Sequence, residues 1–119
     1  MAKQIQIEDA EVITEAFEIL TEHIHEIAVE HGWWEKDRNV GEAIALMHSE
    51  LSEALEGDRH GDPPSEHIPR FSAVEEELAD VVIRVLDFAK GFGYDIPAAV
   101  MAKVEFNNNR PYKHGGKSY

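Results

Sequence analysis

Acidic side chains at a regular spacing are the residues in this chain best placed to do chemistry. Glu50 and Glu53 in MHSELSEALE, and Glu77 and Asp80 in EEELADVVIRVLD, repeat one three-residue step in two stretches that each carry a helical apolar pattern. Residues three apart on a helix share a face, about 4.5 Å apart along the axis, so each pair aims two carboxylates at one point. If the two helices pack antiparallel, four carboxylates converge. Like charges about 4 Å apart cost on the order of 4 kcal/mol per pair at a surface-like dielectric, so such a cluster calls for a cation. Hard divalent ions with oxygen ligands match it, Mg²⁺ first and Mn²⁺ as the alternative. A lone Glu-x-x-Glu is ordinarily a solvated helix face. Here Glu50 and Glu53 flank Leu51 and Ala54, and Glu77 and Asp80 flank Leu78 and Val81, so both pairs lie at the margin of an apolar seam, where helical bundles build metal sites. Glu76 and Asp87 lie near the same stripe and are candidates to supplement the site, although Arg84 between them also suggests ordinary ion pairing.

A second constellation lies near the end of the chain. Lys103, Asn107 and Arg110, spaced four and three, are followed by Lys113, His114 and Lys117, in a chain with only 11 Lys and Arg against 24 Asp and Glu. A cation at a helix C-terminus complements the dipole, which suffices for Lys103 alone. Arg110 and the basic residues beyond the helix read better as a clamp on phosphate oxygens. Trp33 and Trp34, with Lys36 and Arg38 just after them, have two readings that the sequence leaves open: packing at the end of a bundle, or an aromatic surface for a nucleobase. Glu22 and His25 form one Glu-x-x-His, a motif that di-iron bundles use twice, and neither acidic pair ends in His, so that reading is weak.

Four helices are expected to position these groups. The first runs from about Glu8 to His31, with Ile13, Phe17, Leu20, Ile24 and Ile27 at steps of four and three, and with Val12, Ala16, Ile19 and Ala28 widening its stripe. The second runs from about Val40 to Glu56, with Ile44, Met47, Leu51 and Ala54 or Leu55 inward and Gly57 closing it. The loop GDRHGDPPSEHIPR then breaks the helical pattern with its prolines and glycines. The third helix is expected over about Ser72 to Lys90, with Val74, Leu78, Val81, Val82, Val85 and Leu86 inward and Gly91 and Gly93 at its exit. Asp95 then reads as the N-cap of a shorter fourth helix, with Pro97 in its first turn and an end near Phe106. The expectation is a single all-α, four-helix bundle-like domain over residues 1–119. The width of the apolar stripes suggests burial on more than one side, hence an oligomer.

Composition narrows the function. A net charge of −13 at pH 7 disfavours non-specific binding to a nucleic-acid polymer or an anionic membrane. The chain has no cysteine, which rules out disulfides and thiolate metal sites and is compatible with a reducing cytosol; a cytoplasmic location is expected. MAKQIQIEDAE lacks the apolar core of a signal peptide, and no apolar run approaches the length of a membrane span.

Taken together, these motifs resemble the MazG-like branch of the all-α nucleoside triphosphate pyrophosphohydrolases. That pattern is Glu-x-x-Glu, a spacer, Glu-x-x-Asp, then Lys and Asn near the C-terminus, met here by Glu50, Glu53, Glu77, Asp80, Lys103 and Asn107, with RPYKHGG similar to MazG-like tails. The resemblance implies a helical bundle, a homodimer or dimer of dimers, that splits a nucleoside triphosphate into monophosphate and pyrophosphate with Mg²⁺. It implies that Glu50, Glu53, Glu77 and Asp80 carry metal, and that Lys103, Asn107 and Arg110 contact substrate, with Trp33 or Trp34 against the base. Glu53 is the choice for the group that accepts the proton of the attacking water. Two alternatives remain at this point: a phosphoribosyl-ATP pyrophosphohydrolase, which shares the acidic motifs but would not need the tryptophans, and a non-catalytic helical interaction module.

Overall fold

Local signals for four helices are each matched in the structure. The computed structural model describes residues 3–110, which form α1 Ile7–Glu30, α2 Val40–Arg59, α3 Ala73–Phe92 and α4 Ile96–Asn108, with no strand among the described residues. The Asn39 side chain accepts the Glu42 N–H at the start of α2, and Asp95 does the same for Ala98 at the start of α4. Ser72 and Glu75 form a reciprocal capping box on α3. Caps of this kind are worth about 1 kcal/mol each. In contrast, α1 opens on Gln6 with no side-chain cap, although Glu8 and Asp9 lie in its first turn, where the dipole favours them.

Of the three glycines expected to end helices, Gly93 is the left-handed C-cap of α3 at φ 80°, whereas Gly57 and Gly91 lie inside their helices. α2 continues through Gly57 to Arg59, and α3 through Gly91 to Phe92. A Cβ on Gly57 would lie 3.3 Å from the Ala73 Cβ, so its bare backbone lets the end of α2 meet the start of α3. At Gly91 a Cβ would fall 2.0 Å from the Trp34 ring, so the glycine leaves the space that this indole fills. Between α2 and α3, an isolated antiparallel bridge from Pro64 to Ser72 narrows the loop. Ser65 donates to Glu76 at 2.6 Å and, through the same hydroxyl, accepts the His67 and Ile68 N–H groups. Glu76 also holds His67 Nδ1 at 2.7 Å, so Glu76 fastens this loop and does not join the other acids.

α3 is the central element, packed against both α1 and α2, while α4 packs against α1. The buried apolar positions are Ala43, Ala54, Leu86 and Ala89. Most of the large residues expected to point inward are instead substantially exposed in the single chain: Ile13, Leu20 and Ile27 on α1, Ile44, Leu51 and Leu55 on α2, Leu78 and Val82 on α3. The reason lies in the α2–α3 seam. Small residues and the glutamates Glu50 and Glu77 occupy its inner positions, and the long aliphatic side chains fall to either side.

Candidate active site

Gly57 lets the end of α2 meet the start of α3, and on the same helix Glu50 lies buried with Ala43 and Ala54 and is only 8% exposed. One carboxylate oxygen from each of Glu50, Glu53 and Glu77 lies within 4.8 Å of the others. Burial pushes the Glu77 carboxyl up to about 8, helped by its hydrogen-bonding contacts with Glu50 and Glu53 and by their charges. Burial acts on Glu50 in the same direction, but its contacts with Glu77 and with Arg84 outweigh burial and hold it below the ordinary value. Asp80 is raised, by burial first and then by the charge of Glu50. Near neutral pH Glu77 therefore keeps a proton and shares it with its neighbours.

Glu77 Oε2 is buried and has no hydrogen-bond partner among the described residues. An unsatisfied carboxylate oxygen facing two more carboxylates is an oxygen-only donor set with an excess of negative charge, and these residues fit a divalent cation of the hard class. A cation there would take the place of the shared proton. Asp80 lies outside the three-carboxylate group, but with Glu50 it borders the cleft next to it.

That cleft, of about 300 Å³, opens between α1, the segment after it, α2 and α3. Ile24, Ile27, Ala28 and Ile83 give it an apolar wall, and Glu50 and Asp80 stand at its acidic side. The two tryptophans separate here. Trp33 is 52% exposed and lines the cleft, with the Arg84 guanidinium 5.6 Å from its ring centroid. Trp34 is part of the packing: its Nε1 donates to Asp87 at 2.9 Å, and its ring meets His25 and Phe92 edge-on at 5.2 and 5.5 Å.

Asp87, one of the acids expected to supplement the metal site, is instead the hub of this packing. It is buried, bonds His25 Nδ1 at 2.8 Å and Trp34 through one oxygen, and takes Arg38 at 3.2 Å on the other. Arg38 also lies over the Trp34 ring at 4.5 Å. His25 is thereby tied to Asp87, not to a Glu-x-x-His metal pair. Sequence reasoning gave Arg84 no more than an ordinary ion pair, yet Glu77, Asp80, Arg84 and Asp87 follow steps of three, four and three and so share one face of α3. That spacing was the available signal.

The C-terminal candidates are not brought to the carboxylates within one chain. Lys103 and Arg110 both lie over the Phe106 ring, at 4.4 and 5.5 Å, and neither pairs with an acid among the described residues. Asn107 lines a separate apolar hollow between α4 and the segment before α1. Lys113, His114 and Lys117 lie outside the described residues.

A helical fold that gathers carboxylates from two facing helices beside a partly aromatic cleft fits the class of bundles that place a divalent metal between helices. The chain is 33% identical over 97 residues to dCTP pyrophosphatase 1 of Homo sapiens, covering 78% of this chain and 57% of that protein. It is 34% identical over 76 residues to the dATP/dGTP diphosphohydrolase of Cyanophage S-2L, covering 64% of this chain and 61% of that one. These two homologues, at modest identity, are MazG-like all-α nucleoside triphosphate pyrophosphohydrolases. The chain spans less than two thirds of the length of either relative. No family model and no solved structure matches it. No helix among the described residues is long and apolar enough to cross a membrane.

Proposed function

We propose that this chain hydrolyses a nucleoside triphosphate between its α and β phosphorus atoms, releasing a monophosphate and pyrophosphate, with Mg²⁺ as the working ion and Mn²⁺ as its substitute. The observation that carries this is the convergence of Glu50, Glu53 and Glu77, with a buried Glu77 oxygen that lacks a partner. The names of the two relatives, a dCTP pyrophosphatase and a dATP/dGTP diphosphohydrolase, support the same chemistry.

Glu50, Glu53, Glu77 and Asp80 are the residues to hold the ion, which when bound supplies charge neutralisation for the triphosphate and its leaving group. No protein nucleophile is needed. A water oxygen forms the new bond to phosphorus, the bridging P–O bond breaks, and the electron pair leaves with pyrophosphate. Glu53 accepts the water proton, because it is the exposed member of the cluster. The nucleoside lies in the adjoining cleft with Trp33 as its aromatic contact.

Lys103, Asn107 and Arg110 are proposed to contact the substrate. Since α4 packs on α1, away from the α2–α3 seam, this role is most simply met by α4 of a second copy, in a homodimer or a dimer of dimers. The exposed Val12, Ile19, Leu55 and Val82 supply apolar surface for such an assembly. A cytoplasmic nucleotide pool is the proposed setting.

The test is a panel of nucleoside triphosphates, with phosphoribosyl-ATP included, incubated with the protein and Mg²⁺ and followed by pyrophosphate release and chromatography. Monophosphate and pyrophosphate in equal amounts from a nucleoside triphosphate are expected. Turnover of phosphoribosyl-ATP alone would move the assignment to that substrate, and no turnover of any member would refute the hydrolase.

A further inference from the structure

One guanidinium in the cleft has terminal nitrogens without hydrogen-bond partners among the described residues. Arg84 stands one turn beyond Asp80 and commits its Nε to Glu50 Oε1 at 2.8 Å. Its two terminal nitrogens make no hydrogen bond among the described residues, and its side chain remains 27% exposed. The other guanidinium of the cleft is already occupied, since Arg38 is bonded to Asp87 and lies over Trp34. The cleft therefore offers one guanidinium whose terminal donor pair is free of hydrogen bonds among the described residues, beside the carboxylates and over the Trp33 ring at 5.6 Å from its centroid.

We infer that Arg84 is a specificity-determining residue whose terminal N–H groups read a nucleobase edge carrying two adjacent acceptors. The inference rests on the proposed nucleotide substrate. With the triphosphate at the carboxylates and the base against the apolar wall beside Trp33, the terminal N–H groups of Arg84 are within reach of the base edge. A guanidinium has donors and no acceptor, held in a rigid fork. Guanine answers it with O6 and N7, and cytosine with O2 and N3. Adenine cannot, because each of its ring nitrogens adjoins an amino group, a C–H or a ring junction. Thymine and uracil cannot either, because N3–H stands between their carbonyls. A bidentate contact of this kind separates right from wrong bases by about fivefold to 150-fold.

A counter-ion for Glu50 is the competing role, and Arg84→Lys separates the two: lysine keeps the cation beside Glu50 but loses the fork. The experiment measures binding of the α,β-imido analogues of dGTP, dCTP, dATP and dTTP with Mg²⁺ by calorimetry, together with kcat/KM for the four natural triphosphates. It compares the wild type, Arg84→Lys and Arg84→Met. The wild type is expected to favour dGTP or dCTP over dATP and dTTP by roughly tenfold to a hundredfold, and the stronger of the two identifies the base. In both variants the ratio between bases should collapse toward unity, whatever happens to the absolute rates. A wild type without base preference overturns the inference, as does an Arg84→Lys protein that keeps the preference. Selective binding without cleavage would refute the hydrolase and leave Arg84 as the reader. Cleavage with a flat base profile would do the reverse, and failure to bind any analogue would refute both.

Discussion

Glu77 and Glu50 face each other across the helix seam and titrate in opposite directions. Because Glu77 is raised from 4.5 to about 8, the folded chain holds a proton that the unfolded chain has lost throughout that window. Its contribution to stability therefore falls as pH rises from about 4.5 to about 8 in the metal-free protein, and Asp80, also raised, acts in the same sense. Glu50 is lowered, so its contribution is present above 4.5 and is lost only as pH falls further. Mg²⁺ must displace the Glu77 proton, so its affinity should climb with pH to about 8, with proton uptake by the buffer visible in calorimetry. An affinity that does not change over this range would show that Glu77 is not a ligand. Glu77→Gln mimics the protonated acid already present, so it should fold with a stability within about 1 kcal/mol of wild type near neutral pH. It should lose the Mg²⁺ response and more than roughly a hundredfold of the turnover, since even indirect supports of a metal ligand cost tenfold to a hundredfold. Glu50→Gln is a less clean test, because it also strips Arg84 of its partner. Asp87 calls for the opposite expectation. Removing it strands His25, the Trp34 N–H and Arg38 together, so Asp87→Ala should lower stability by about 3–5 kcal/mol in denaturant unfolding, and a loss of activity without that destabilisation would mean that it acts on substrate.

At the level of elements, helix type and the Asp95/Pro97 start of α4 were legible because they depend on local residues, while the Asn39 cap and the Ser72/Glu75 box, equally local, emerge only with the structure. Gly93 was read correctly as the exit of α3, whereas Gly57 and Gly91 were misread as ends for a physical reason. A glycine that stops a helix and one that admits a neighbouring side chain look the same in a single sequence, and only the Trp34 ring over Gly91 tells them apart. The apolar period likewise located the stripes on α2 and α3 but could not say what covers them, so Leu51, Leu78 and Val82 were given to the core together with Ala54 and Leu86, and of these the single chain buries Ala54 and Leu86. In the candidate site, the acidic spacing could be read from either helix alone, whereas the Asp87 hub joins α1, the following segment and α3 over sequence separations as large as 62 residues. The glycine reading makes its own prediction. Gly91→Ala keeps helical propensity, and a mere helix exit would tolerate it, but the added methyl collides with Trp34 and should cost about 1–3 kcal/mol, seen as a lower melting temperature. An unchanged or raised melting temperature would mean that the indole moves aside freely.

In the whole molecule, the two sets of candidate residues stand on different elements. The acids belong to the α2–α3 seam, while Lys103 and Arg110 flank Phe106 on a helix that rests against α1. A triphosphate held by both sets needs them close together, and one chain does not supply that. Two-fold pairing is the commonest symmetric assembly and would let each copy lend its α4 to the other, with the exposed aliphatic faces of α1, α2 and α3 as the surface to be covered. Sedimentation at low micromolar concentration should accordingly give a dimer or tetramer. Subunit mixing then tests whether the site is shared. Glu77→Gln lacks the metal half of its own site but keeps α4, and Arg110→Ala keeps the acids but lacks the cation. Each should be nearly inactive alone. If α4 acts across the interface, an exchanged equimolar mixture contains hybrid dimers with one intact site, restoring about a quarter of wild-type activity per subunit. If α4 serves its own chain, or if Arg110 does not touch substrate, mixing restores nothing beyond the sum of the two parents, and the assignment of Lys103, Asn107 and Arg110 to a partner's substrate is lost.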